Sequence, residues 1–207
     1  NELDTPEYHI VPSKIVANTI KESHNKWLET PGKKGQKRND TNIRVFLDKE
    51  DLFFDKWDLL RYQSVDDRLI PSNIYDSLIS FIPRLKNIEY AKLYPEQQTG
   101  DGSIEHPFQM PFYEYADVVH EFEKEVYKFE KDHPEFQLNT YNNIFLMNGL
   151  RWDEEVMTKA DVSNANGQVV MALILGAIRA ERFCDGTLKD FLELGCIVHW
   201  LLRLQEI

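Results

Sequence analysis

The clearest pattern of hydrophobic and polar positions along the chain lies between residues 115 and 129. Apolar side chains recur there at steps of four and three residues: Tyr115, Val119, Phe122, Val126 and Phe129. The intervening positions are mostly Glu, Lys and His, so the apolar side chains would share one face of an α-helix. Pro134 follows, and proline ends helices. The sequence therefore predicts an amphipathic helix that packs its apolar face against a core.

Helical patterns also dominate the C-terminal third of the chain. Two apolar stretches flank the segment RAERFCDG at 179–186. A third stretch follows Gly195 and places three apolar residues on one helical face: Ile197, Leu201 and Leu204. Before these helices, the segment 95–111 contains three prolines and two glycines, which predicts a long exposed loop.

The first sixty residues show a different pattern. Alternating and β-branched residues at 8–11 and 43–47 predict two short strands. Between them, apolar residues at helical spacing predict a helix that begins at Ser13 and ends before Pro31. We therefore expect a mainly α fold, α+β overall. A short N-terminal strand–helix–strand segment would form domain 1–62, and a compact helical domain would form 72–207.

Composition and charge narrow the function classes. A chain of 207 residues can form one large domain or two small ones. No apolar run reaches the ~18 residues that span a bilayer, so we expect no membrane partner. Two cysteines make a disulfide framework improbable and favour a reducing cytoplasm. Residues 61–207 carry 24 Asp/Glu against 14 Lys/Arg, which argues against nonspecific nucleic-acid binding by that part of the chain.

A basic loop interrupts the N-terminal segment. Five cations lie within it and only Asp40 opposes them between residues 31 and 44: Lys33, Lys34, Lys37, Arg38 and Arg44. A glycine-spaced cationic loop can lie along a nucleic-acid backbone. The spacing is not that of a phosphate-binding P-loop. A solvated charged loop is the alternative interpretation, and the sequence leaves both open.

The segment RAERFCDG also allows two interpretations. Arg179 and Arg182 lie one helical turn apart, so they can grip a carboxylate or phosphate, with Asp185 orienting Arg182. Alternatively, the arginines interact with the negative end of a helix, Asp185 caps the helix 187–194, and Gly186 forms the corner. Cys184 has no neighbouring His in the sequence and is expected to be a buried hydrophobic residue, not a nucleophile.

The sequence contains no recognisable catalytic or metal motif. The six histidines show no metal-ligand spacing, and neither G-x-S-x-G nor G-x-G-x-x-G occurs. None of the nineteen Glu and eight Gln residues is followed two positions later by Lys, so the E-x-K or Q-x-K half of a restriction-type nuclease site is missing. We therefore predict no cofactor, no metal ligand and no catalytic residue.

The C-terminal part, from about residue 72, resembles a bacterial family of uncharacterised domains. LISFIPRL, FYEYADVVHEF and the residues at 145–153 carry the likeness, together with AIRAERFCDGTLKDFLELGCIVHWLLRLQEI. The signature R-x-x-R-F-C-D-G lies within this last segment. The resemblance implies a mostly helical fold and assigns no activity.

The first sixty residues are similar to the closing portion of certain bacterial restriction-endonuclease-like PD-(D/E)XK proteins. The V-P-S that enters the helix, the S-H-x-x-W-L within it and the P-G-K-K-G-Q loop carry this likeness. It implies that the catalytic strands lie upstream of Asn1, in agreement with the missing E-x-K and the missing initial Met.

Three functions remain open. The first is a non-catalytic accessory or interaction module attached to a nuclease-like domain, contacting nucleic acid through the basic loop or a protein partner through the helical domain. The second is a small-ligand enzyme or anion binder at Arg179, Arg182 and Asp185, with Trp152 or His199 nearby in the pocket. The third is an acidic mimic of nucleic acid, which the charge of residues 61–207 permits.

Overall fold

A computed structural model of the chain describes residues 7–48, 50–95 and 99–207. The chain forms two compact units. Unit 1 comprises Asn1–Tyr62 and Leu146–Gly149, of which the structure describes residues 7–48, 50–62 and 146–149. Unit 2 comprises Gln63–Phe145 and Leu150–Ile207.

Helices make up most of the regular structure. In chain order they are α1 (Ser13–Glu29), α2 (Asp76–Ile79), α3 (Asp117–Asp132), α4 (Tyr141–Met147), α5 (Glu154–Thr158), α6 (Gly167–Ala180), α7 (Thr187–Glu193) and α8 (Cys196–Glu206). Short 3-10 turns cover Trp57–Arg61, Asp67–Leu69, Ser72–Tyr75, Pro134–Phe136 and Leu138–Thr140. Strands β1 (Ala91–Tyr94) and β2 (Phe112–Tyr115) form one antiparallel pair. The predicted mainly α fold is confirmed.

The β structure does not lie where the sequence predicted it. The predicted strands at 8–11 and 43–47 are wrong. In this part of the described chain, His9 and Phe54 form a single antiparallel bridge, closed by Ile10 N–H to Phe53 O and Asp55 N–H to Tyr8 O. Residues 43–47 have no ladder partner, and the side chains of Ile43 and Leu47 are exposed. A β-branched run forms a strand only when another strand satisfies its backbone.

The other described regular structure of unit 1 is α1, the 3-10 turn Trp57–Arg61 and the end of α4. None of the α1 residues is buried. The helix ends at Glu29, before Pro31, as predicted.

Unit 2 contains an apolar core built around α6. All residues from Gly167 to Ile178 are buried, and all of them except Gln168 are nonpolar. The predicted stripe of α3 is confirmed: Val119, Phe122, Val126 and Phe129 are buried. The predicted face of α8 is confirmed as well, since Ile197, Leu201 and Leu204 are buried.

The pair β1–β2 lies on the N-terminal side of α3. Tyr115 belongs to β2, where it pairs with Ala91, and α3 begins two residues later at Asp117. The predicted helix start at Tyr115 is therefore wrong. The described residues of the predicted loop 95–111 are mostly exposed, and a bridge joins Thr99 to Gln109; residues 96–98 of that loop lie outside the described residues.

A buried glutamine fixes the start of α6. The side chain of Gln168 is fully buried, and its amide donates to Gln63 O at 3.1 Å and to Phe136 O at 2.9 Å. Its Oε1 accepts the backbone N–H of Val65 at 3.2 Å. One side chain thus joins two connecting segments to the core helix.

None of the helices in the described ranges is long and apolar enough to cross a membrane.

Candidate functional site

The basic loop of unit 1 is an ordered turn. Gly32 N–H donates to Gln36 O at 2.9 Å, and Gly35 N–H donates to Gly32 O at 2.8 Å. The Oε1 atom of Gln36 accepts Lys34 N–H at 3.0 Å. Gly35 has a φ of +77°, a conformation that glycine adopts without strain. These bonds order the backbone of the turn that carries the lysines.

The two arginines of the loop are engaged locally. The Arg38 guanidinium lies 4.8 Å from the centre of the Trp27 ring, and Trp27 in turn stacks on His24. The Arg44 guanidinium lies 3.5 Å from Asp40 and donates to the carbonyl oxygen of Thr41. Asp40 also accepts a hydrogen bond from His24 at 2.7 Å, which is the main reason that its pKa lies below the usual value.

The three lysines of the loop are different. Lys33, Lys34 and Lys37 are exposed, and none forms an ion pair with any carboxylate that the structure describes. Of the five predicted nucleic-acid contacts, these three retain a free ammonium group, whereas Arg38 and Arg44 also serve to order the loop.

The corner RAERFCDG lies in unit 2, where both arginines face α3. The Arg179 guanidinium donates to the two carboxylate oxygens of Glu130 at 2.7 and 3.0 Å and lies 5.2 Å from the Tyr141 ring centre. Both side chains of the ion pair are largely buried. The charge of Arg179 is therefore already balanced within the fold.

Arg182 has a more open environment. Its guanidinium donates to the Tyr127 hydroxyl at 3.0 Å and lies over the Tyr127 ring. Arg182 also lines an open cleft of about 550 Å³ between α3 and the end of α6. Carboxylates and cations both line it, including Asp117, Lys124 and Glu181. Neither Trp152 nor His199 belongs to the described residues that line this cleft.

The helix cap predicted at Asp185 is wrong. The cap position of α7 is Gly186, with a φ of +92°, and the carboxylate that satisfies the first turn belongs to Glu181. Glu181 accepts Gly186 N–H and Leu188 N–H, both at 2.8 Å. Asp185 instead accepts Tyr113 N–H of β2 at 3.0 Å. The Asp185 carboxylate therefore links this corner to β2.

Tyr115 completes this corner. Burial is the main reason that the pKa of the Tyr115 hydroxyl is raised, and the hydrogen bond to Glu181 raises it further. The hydroxyl therefore stays neutral. The same hydroxyl oxygen accepts Lys189 N–H at 3.0 Å. Sequence analysis missed the capping role of Glu181, although its partners are only five and seven residues away. It assigned Tyr115 to a helix, because its partner Lys189 is 74 residues away.

Cys184 is exposed, so the expectation that it is buried is wrong. It lies in the turn between α6 and α7, where the chain leaves the core. The neighbouring Phe183 is exposed as well, and its ring packs against Trp152 at a centroid distance of 5.2 Å. Trp152 donates from Nε1 to Gly176 O at 2.9 Å, which gives it a structural role.

A second cluster in unit 1 escaped the sequence analysis. His9 Nδ1 lies 2.9 Å from Asp48 Oδ2, and Asp51 lies close enough that one ligand atom from each of the three residues is within 4.8 Å of the others. The 39 residues between His9 and Asp48 hide this arrangement from any search for local spacing.

Comparison with known proteins gives one match. The model of a family of unknown function, DUF6508, matches residues 70–207, about two thirds of the chain. No curated protein and no solved structure matches the chain. The matched range contains RAERFCDG and the cleft, and it excludes the basic loop and His9. The likeness of the first sixty residues to restriction-endonuclease-like proteins is not among these findings and stays a prediction.

Proposed function

The chain belongs to the family of unknown function DUF6508, and we propose that it is a non-catalytic interaction module that contacts a nucleic-acid backbone through its basic loop. In this proposal, it is an accessory part of a nuclease-like protein. The predicted likeness of residues 1–60 supports this attachment, and the lack of an E-x-K motif supports the non-catalytic role.

The unpaired lysines of the basic loop carry the proposal. Lys33, Lys34 and Lys37 project from a turn whose own backbone and side-chain bonds order it. Their ammonium groups can neutralise phosphates without first breaking an ion pair. Phosphate neutralisation releases counterions and supplies most of the affinity of nonspecific binding. The acidic balance of residues 61–207 argues against nonspecific contact by that part of the chain.

Salt-dependent binding to a fluorescently labelled 20-base-pair duplex tests the proposal with the whole chain. Each phosphate contact contributes about −0.9 to the slope of log K against log salt. The triple variant K33Q/K34Q/K37Q should therefore lose about 2 to 3 units of slope and most of the affinity.

A matched control variant removes the same number of positive charges from another part of the chain. Lys92, Lys128 and Lys159 are exposed lysines that pair with Glu89, Glu125 and Glu155, so K92Q/K128Q/K159Q should keep the slope. An equal loss of affinity and slope in both triple variants contradicts a contact through the loop. An affinity that does not depend on the salt concentration contradicts it as well. Cleavage of the duplex with Mg²⁺ or Mn²⁺ by the wild-type chain contradicts the non-catalytic part.

Anion binding in the cleft of unit 2 is the second candidate. The position of Arg182 on the open cleft favours anion binding there. Arg179 is already paired with Glu130, and Asp185 already accepts a hydrogen bond from Tyr113 N–H. Titration with phosphate and with acetate, followed by chemical-shift changes, tests this function. R182Q should abolish a saturable response and R179Q should retain it. A response that R182Q leaves unchanged removes this candidate.

A further inference from the structure

Three metal-binding side chains converge in unit 1. His9 comes from the segment before α1, whereas Asp48 and Asp51 belong to one loop. One donor atom from each lies within 4.8 Å of the other two. Among the residues that the structure describes, this is the one group of three such donors.

Two of the three donors are fixed by contacts outside the group. Asp48 has a side chain that is only 6 % exposed, and its oxygens accept Leu52 N–H at 3.0 Å and Phe53 N–H at 2.9 Å. The backbone bridge to Phe54 holds His9, and the edge of the His9 ring packs against the Phe54 ring. Preorganised ligands reduce the entropic cost of binding.

The residue types suit a divalent cation, because two carboxylates balance its charge and imidazole is a common metal ligand.

We propose that His9, Asp48 and Asp51 form a binding site for a divalent transition-metal cation such as Zn²⁺. Ligands about 2.1 Å from a tetrahedral Zn²⁺ lie about 3.4 Å from each other. His9 Nδ1 and Asp48 Oδ2 are 2.9 Å apart in a hydrogen bond, so a separation of about 0.5 Å would open this pair to the cation. Asp51 is exposed, so its carboxylate has room to rotate towards the other two donors. The imidazole nitrogen disfavours Mg²⁺ and Ca²⁺, which prefer oxygen ligands only.

A second histidine–aspartate pair in the same unit shows what distinguishes this group. His24 Nε2 lies 2.7 Å from Asp40 Oδ1, a similar geometry. There the third group is Arg44, which lies 3.5 Å from Asp40. A guanidinium in place of a second carboxylate repels a cation, so the His24–Asp40 pair should not bind one.

Calorimetric titration of the full chain with Zn²⁺ at pH 7 tests the site. We expect one saturable equivalent, which excess Mg²⁺ or Ca²⁺ does not displace. D51N is the decisive variant, because an exposed Asn tolerates the φ of +51° found at this position. It should bind at least about tenfold more weakly, since one of three ligands is lost. H9Q should behave alike, and H24Q should bind as the wild type does.

Circular dichroism identifies any variant that fails to fold, and D51N keeps the test informative if H9Q unfolds. Binding that D51N leaves unchanged overturns the proposal. Equal losses in H9Q and H24Q, or the lack of a saturable equivalent below 100-fold excess Zn²⁺, overturn it as well.

Discussion

The guanidinium of Arg179 donates to both carboxylate oxygens of Glu130, at 2.7 and 3.0 Å. This pair joins the end of α6 to α3, and the two side chains are only 22 % and 18 % exposed. Removal of either partner leaves the other charge largely buried without compensation. The first arginine of RAERFCDG therefore stabilises the fold.

Arg179→Met should lower the free energy of unfolding by about 2 kcal/mol, since charged hydrogen bonds in a mostly buried position are lost. Arg84 provides the matched control, because it pairs with Glu121 of the same helix while both side chains are about half exposed. Arg84→Met should cost less than about 1 kcal/mol. Urea denaturation measures both, and equal costs would mean that Arg179 is no more important than a surface residue.

A side chain at position 186 would be unfavourable for two separate reasons. Its φ is +92°, and a Cβ atom there would lie 2.6 Å from the ring of Tyr113. Gly195 has a similar φ of +75° but nothing within 4 Å of its Cβ position. Gly195→Ala should cost about 1 to 2 kcal/mol for the backbone alone. Gly186→Ala should cost more, and similar thermal unfolding temperatures for the two variants would contradict the steric contribution.

Local periodicity predicted the helices well. The stripe of α3 and the face of α8 depend on spacing within one element, and the buried residues match both. The strands depend on partners elsewhere. Tyr115 fits the helical stripe by spacing, yet it pairs with Ala91, 24 residues earlier. No pattern within 112–115 reveals that partner.

The candidate sites were less predictable, because their partners are distant in the chain. Glu130 lies 49 residues before Arg179 and satisfies a charge that the sequence left open to a ligand. Asp48 lies 39 residues after His9. Charge counting found the basic loop, but only the structure separates the three unpaired lysines from Arg38 and Arg44.

Replacement of the buried Gln168 should be among the most destabilising changes in unit 2. Gln168→Leu removes three hydrogen bonds and leaves Val65 N–H, Gln63 O and Phe136 O without this partner. We expect a loss of about 2 to 3 kcal/mol, because an unsatisfied buried polar group costs about 1 to 3 kcal/mol. Phe136 is buried, whereas Val65 is half-buried and Gln63 is exposed, so their groups contribute less. Urea denaturation at pH 7 measures it. A loss below about 1 kcal/mol would mean that water replaces the amide.

Neighbouring carboxylates Asp66 and Asp67 should respond oppositely to pH. Burial is the main cause that raises the pKa of Asp67 above its usual 3.8, and the charge of Asp66 raises it as well. The hydrogen bond from Gly167 N–H and the charge of Arg203 lower the pKa, but by less. The stability that Asp67 contributes is thus fully present below pH 3.8 and is lost as the pH rises through its folded pKa. The hydrogen bonds from Arg68 lower the pKa of exposed Asp66, so its contribution is lost as the pH falls.

Urea denaturation of Asp67→Asn and Asp66→Asn between pH 3 and 7 isolates these contributions from those of the other titrating groups. Relative to the wild type, Asp67→Asn should gain stability as the pH rises, because the amide cannot ionise where the carboxylate is buried. Asp66→Asn should lose stability relative to the wild type over the same range. Added salt should reduce this pH-dependent difference more than it reduces that of Asp67→Asn, since the Asp66–Arg68 pair is exposed to solvent. If the two variants shift in the same direction, burial does not govern the ionisation of Asp67.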